Sequence, residues 1–93
     1  MSIIRINSFT AKAGADQQLH EFLSSVMTTI KSSPGCISCT LLRGAEDQHQ
    51  LAIIEEWDSI SAHQAAASLI PPEQLAQVVA LFAKPPVGTY YTQ

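Results

Sequence analysis

Lysine and arginine together number only five in this chain of 93 residues, and they form no run. With eight acidic residues the formal net charge is −3, which leaves little attraction for a phosphate backbone and disfavours a nucleic-acid partner. No apolar stretch approaches the roughly 20 residues that span a bilayer, so a membrane role is disfavoured as well. The opening Met1-Ser2-Ile3-Ile4-Arg5 lacks the basic flank and apolar core of a signal peptide. Cysteine is scarce too: two residues supply no disulfide framework, and without an export signal they are expected to be reduced thiols. The expectation is a soluble, cytoplasmic protein.

Each of these absences bears on stability. The length suits one domain over residues 1–93, and a domain this small buries only about 60–65% of the surface its unfolded chain exposes. Hydrophobic residues make up 46% of the chain, and no covalent staple supplements them. Association with a second copy is the remaining route to a larger buried surface.

The residues that are present read as alternating short elements. Ile3 to Thr10 is β-branched and aromatic from the start, a strand with Ile3, Arg5, Asn7 and Phe9 on one face and Ile4, Ile6, Ser8 and Thr10 on the other. Ala13-Gly14-Ala15-Asp16 turns the chain. Leu19, Phe22, Leu23, Val26 and Ile30 then recur at helical spacing, which predicts a helix over 16–32 ended by Ser33-Pro34-Gly35. Cys36 to Arg43 and Gln50 to Trp57 form a strand pair joined by a short polar link. Asp58-Ser59 caps a helix over 60–69, and Pro71-Pro72 breaks it before another begins. In that last helix Leu75, Val78, Val79 and Phe82 repeat the buried-stripe spacing, and Val87 to Thr92 closes the chain as a strand. The order β-α-β-β-α-β is the α+β, ferredoxin-like split arrangement with a four-stranded antiparallel sheet.

The strands are apolar on both faces. Leu51, Ile53 and Trp57 share one side of the third strand, and Ala52 and Ile54 share the other. Helices cover one side of such a sheet, so a second copy of the chain is the simplest cover for the back. A homodimer is expected.

Cys36-Ile37-Ser38-Cys39 has the spacing of a redox or metal-binding pair. Within a strand, residues three apart point to opposite faces, so the two thiols are expected neither to bridge nor to chelate. His20, His49 and His63 fall on a helix, a hairpin link and the next helix without paired ligand spacing, so no metal site is expected.

Taken in order, Lys12-Ala13-Gly14, Ser33-Pro34-Gly35-Cys36, Glu55-Glu56-Trp57-Asp58-Ser59 and Ala62-His63 make this chain resemble the antibiotic biosynthesis monooxygenase family. The resemblance implies a homodimer in which two ferredoxin-like sheets close an α+β barrel. It implies oxygenation of a hydrophobic phenolic or quinol-type small molecule by dioxygen, without metal, flavin or haem. In such members the substrate's own anion reduces dioxygen, and the protein supplies a dry pocket with polar groups. A related branch binds and degrades haem through a first-strand asparagine with a tryptophan and a histidine on helices. The alternative to an oxygenase is a small-molecule-binding dimer of the same fold that has lost the chemistry.

Under that resemblance Asn7 matches the first-strand asparagine and His63 is the candidate base, the two catalytic expectations. Trp57, and Phe22 from the first helix, would form walls of a pocket between helices and sheet. Two departures stand out. Ala66 occupies a position where many members carry histidine or tryptophan, and Pro72-Glu73-Gln74-Leu75-Ala76-Gln77 offers no histidine to hold haem iron. From the fold itself, Arg5 and Glu55 lie on neighbouring strands and are expected to pair as a salt bridge in or beside the pocket, available to orient substrate.

Overall fold

In the computed structural model, which describes residues 2–93, β1 occupies Ile3–Thr10 and leads through Gly14 into α1, Asp16–Lys31. Gly14 has φ 81°, a left-handed turn that suits glycine. Ala15 caps α1 without a side-chain bond, and Asp16 in the first turn and Lys31 in the last complement the helix dipole. Along α1 the buried stripe is Leu19, Leu23, Val26 and Met27, with Phe22 and Ile30 partly buried beside it.

β2 (Cys36–Arg43) and β3 (Gln50–Trp57) form the expected hairpin. Gly35, at φ 88°, is docked against the start of the next helix: its carbonyl accepts from the Asp58 N–H at 2.8 Å, and an added Cβ would meet Ala62 Cβ at 2.7 Å. That helix, α2 (Ile60–Ala67), is capped by Ser59, whose hydroxyl accepts from the Ala62 N–H at 3.1 Å. The turn and the cap together fix the first turns of α2, which carry His63.

α2 ends two residues earlier than the periodicity predicts, because Ser68, Leu69 and Ile70 wind into a turn before Pro71-Pro72. α3 (Pro72–Val79) starts on the expected proline, but its predicted stripe is only partly buried. Val78 is buried, whereas Leu75 and Val79 are exposed. Phe82 lies past the helix, where it stacks on Phe9 with ring centroids 5.7 Å apart. β4 spans Val87–Tyr91.

Among the described residues the sheet has four strands in the order β2-β3-β1-β4, all antiparallel to their neighbours. The expected ferredoxin-like α+β architecture is therefore present. Leu51, Ile53, Glu55 and Trp57 of β3 lie on the helix-covered face, with Arg5, Asn7 and Phe9 of β1 and Tyr90 of β4 in register beside them. On the opposite face Leu42, Ile54, Val87 and Tyr91 are 44%, 38%, 62% and 49% exposed, so the back of the sheet is apolar and open.

One expectation about β2 is corrected. Pairing slips between Cys36 and Ser38, so Cys36 stands opposite Trp57 and Cys39 opposite Glu55. The extra residue, Ile37, restores the parity that simple alternation denies, and both thiols end on the helix-covered face. They are free cysteines and chemically quiet for another reason. Burial, then the nearby Glu55 charge, raises both thiols, Cys39 to about 12, so thiolate is scarce near neutrality.

Candidate active site

A cavity of about 330 Å³ lies between the sheet and the helices, and all six residues singled out from the sequence line it. Phe22, Leu23, Val26 and Ile30 of α1 form one apolar wall, and Ala66, Ile70, Leu75 and Val79 form another. The polar wall is the sheet: Arg5, Asn7, Glu55 and Trp57, with His63 of α2 at its edge. Strand alternation explains the grouping, since Arg5 and Asn7 are two apart on β1 and Glu55 and Trp57 two apart on β3. Ala66, 5% exposed, adds a methyl group to the lining at the position where many family members were expected to carry histidine or tryptophan.

Glu55 is the centre of this wall and is only 2% exposed. The Trp57 indole N–H donates to its Oε1 at 2.7 Å, and the Asn7 amide donates to its Oε2 at 3.3 Å. Burial raises its carboxyl above the usual glutamate range, while the Trp57 bond, the Arg5 charge and the Asn7 bond partly offset that rise.

The predicted Arg5–Glu55 salt bridge is not formed, although the two residues are direct partners across β1 and β3 and share a face. Instead Asn7 joins them: Arg5 Nε donates to Asn7 Oδ1 at 2.9 Å, and Asn7 donates onward to Glu55. The amide orientation is dictated chemically, because a guanidinium can only donate and a carboxylate can only accept. Arg5 leans away from β3 because its other strand neighbour is Tyr90, over whose ring its guanidinium sits at 4.5 Å from the centroid. Gly88 makes room for this arrangement, since an added Cβ would collide with the Arg5 guanidinium and come within 2.6 Å of Asn7 Oδ1.

His63 touches Trp57 and Tyr90 edge-on, with centroids 5.5 and 5.4 Å away. Its Nδ1 is 2.6 Å from the Tyr90 hydroxyl, and its Nε2 is 3.7 Å from Glu55 Oε1. Burial, and then Arg5, lowers its pKa from the usual value near 6.5, so the ring is neutral near pH 7. Tyr90 and Gly88 are the parts of the site that sequence reasoning missed. Their signal is their register opposite Arg5 and Asn7, which becomes visible only once β4 is paired with β1.

The arrangement joins an apolar chamber to one cation, one buried carboxylate and a neutral imidazole. It can hold a flat hydrophobic molecule, take a proton from a hydroxyl and hold the resulting anion near Arg5. Among the described residues no three His, Cys, Asp or Glu side chains converge as for a metal ion, and no helix is long and apolar enough to cross a membrane.

Fold and site together define a small α+β protein with a polar-walled apolar chamber. The profile of the antibiotic biosynthesis monooxygenase family matches residues 2–69, and the chain belongs to that family. A curated relative, heme oxygenase (mycobilin-producing) from Mycobacterium tuberculosis, is 28% identical over 68 residues, covering 73% of this chain. The match takes in 65% of that relative's length, just under two thirds. Among solved structures, Rv0793 from Mycobacterium tuberculosis is 23% identical with a TM-score of 0.86, covering 100% of this chain and 95% of that one. SnoaB from Streptomyces nogalater, a cofactor-independent oxygenase, is 21% identical with a TM-score of 0.82, covering 99% of this chain and 92% of its own. At these identities the likeness to both structures is one of fold.

Proposed function

We propose that this chain is a cofactor-independent monooxygenase that oxidises a hydrophobic phenolic or quinol-type small molecule with dioxygen. The observation that carries the reading is the single polar wall of Arg5, Asn7, Glu55, Trp57 and His63 in an otherwise apolar cavity of about 330 Å³. A phenol needs a base to become an anion and a dry, cationic setting to persist as one. Asn7 and His63, expected from the sequence to be catalytic, both meet the buried carboxylate of this wall: Asn7 ties Arg5 to Glu55, and His63 faces Glu55. Phe22 and Trp57 form substrate walls. Oxygen uptake by metal-free protein against a panel of quinols and polycyclic phenols, with Asn7→Ala as control, tests the reading.

The kinship to a heme oxygenase raises haem as the alternative ligand. Among the described residues His63 is the cavity's only histidine, and its two nitrogens face Tyr90 and Glu55. This donor set does not suit ligation of haem iron.

The working form is proposed to be a cytoplasmic homodimer. Support comes from the apolar back of the sheet, where Leu42, Ile54, Val87 and Tyr91 are exposed among the described residues. A small-molecule-binding dimer without turnover is the second reading, favoured by the methyl group of Ala66 where the family expectation is a histidine or tryptophan.

A further inference from the structure

Tyr90 lies outside the segment that the family profile matches, and it does not line the cavity. Its hydroxyl nevertheless meets the Nδ1 of His63 at 2.6 Å. A neutral imidazole has one N–H and one bare nitrogen, and the neighbours decide which is which. The Nε2 of His63 faces Glu55 Oε1 at 3.7 Å, and a carboxylate presents only lone pairs. An Nε2–H is attracted to that oxygen, whereas a bare Nε2 would set lone pair against lone pair. The proton therefore belongs on Nε2, and Nδ1 accepts from the Tyr90 hydroxyl.

We infer that Tyr90 is a positioning residue that engages the bare Nδ1 of His63 and, together with Glu55 on the other side of the ring, holds the Nε2–H tautomer, leaving Glu55 as the group that takes the substrate's proton; the second half rests on the oxygenase reading above. His63 in this state has no lone pair for substrate, because its bare nitrogen is occupied by Tyr90. Glu55 keeps acceptor capacity on the cavity wall, since each carboxylate oxygen has two lone pairs and takes one bond from Trp57 or Asn7.

In the step, the phenolic O–H breaks and its proton passes to the Glu55 carboxylate. The electron pair stays on the phenolate oxygen, which faces Arg5. The other titratable groups around Glu55 are Cys36 and Cys39 from β2 and His63 from α2, with Tyr90 of β4 behind His63. Burial raises the carboxyl, which brings its proton affinity closer to that of an acidic phenol.

Long-range proton–nitrogen NMR on the full chain labelled at histidine reads the tautomer without substrate. At pH 7 the wild-type His63 ring is expected neutral with the proton on Nε2, and Tyr90→Phe is expected to spread it over both nitrogens. A charged ring or an Nδ1–H in the wild type overturns the inference, as does a Tyr90→Phe ring identical to wild type. Oxygen uptake with the quinol panel tests the second half. Glu55→Gln is expected to lose about 100-fold or more, and Tyr90→Phe about tenfold with an altered pH profile. Uptake by Glu55→Gln within about twofold of wild type contradicts Glu55 as acceptor. No uptake by wild type removes that half together with the oxygenase reading, while the tautomer result stands by itself.

Discussion

The indole N–H of Trp57 donates to the Oε1 of Glu55 at 2.7 Å, two positions back along the same strand, with the two residues only 0% and 2% exposed. A carboxylate so withdrawn from water depends on its donors. Trp57→Phe keeps most of the ring volume and removes this donor. The expected cost is about 1–3 kcal/mol of stability, measured by denaturant unfolding at pH 7. A wild-type midpoint would show that the bond contributes nothing.

Stability should also carry the pH signature of Glu55. Its carboxyl is raised in the folded state, chiefly by burial, so the folded chain holds that proton more tightly than the unfolded chain. Stability from this group is therefore greatest in acid, and it falls as pH climbs from the ordinary value of 4.5 through the folded one. His63 has the opposite sign: its lowered pKa means that stability falls as pH drops below 6.5. Melting curves of wild type and Glu55→Gln between about pH 4 and pH 7 isolate the carboxyl. The difference should move in favour of the variant as pH rises, and a flat difference would contradict the burial argument.

Gly88→Ala tests the packing around Arg5. The added methyl collides with the guanidinium and crowds Asn7 Oδ1, so Arg5 must leave the Tyr90 ring or Asn7. A loss of about 1–3 kcal/mol is expected, with Arg5 displaced in a crystal structure of the variant. An unmoved Arg5 would refute the close-approach account of this glycine.

The back of the sheet makes a prediction about assembly. Ile54, 38% exposed at the middle of β3, lies among Leu42, Val87 and Tyr91 on a face that no helix of the described residues covers. Sedimentation equilibrium should find a dimer, and Ile54→Lys should shift it towards monomer. A monomeric wild type would refute the proposed assembly.

Much of this arrangement was legible in the sequence, for a simple reason. Strand parity groups Arg5, Asn7 and Phe9 on one face of β1 and Glu55 with Trp57 on one face of β3, and the helical spacing of Leu19, Phe22, Leu23 and Val26 points α1 at them. Other features depend on register, which local patterns do not contain. The bulge at Ile37 turned Cys36 and Cys39 to the same face. The pairing of Arg5 with Tyr90 and of Asn7 with Gly88 joins residues more than 80 positions apart. That pairing drew the Arg5 guanidinium over Tyr90 and left Asn7 as the link to Glu55, where parity alone suggested a salt bridge. The α3 spacing misled in part, because Leu75 and Val79 border the cavity and remain exposed.

The most direct test of the central claim is dioxygen consumption, followed with an oxygen electrode, by metal-free protein given quinols and polycyclic phenols. The account predicts uptake in step with substrate loss, reduced in Asn7→Ala and nearly abolished in Glu55→Gln. Substrate binding without any uptake across the panel would contradict it and leave a binding protein in its place.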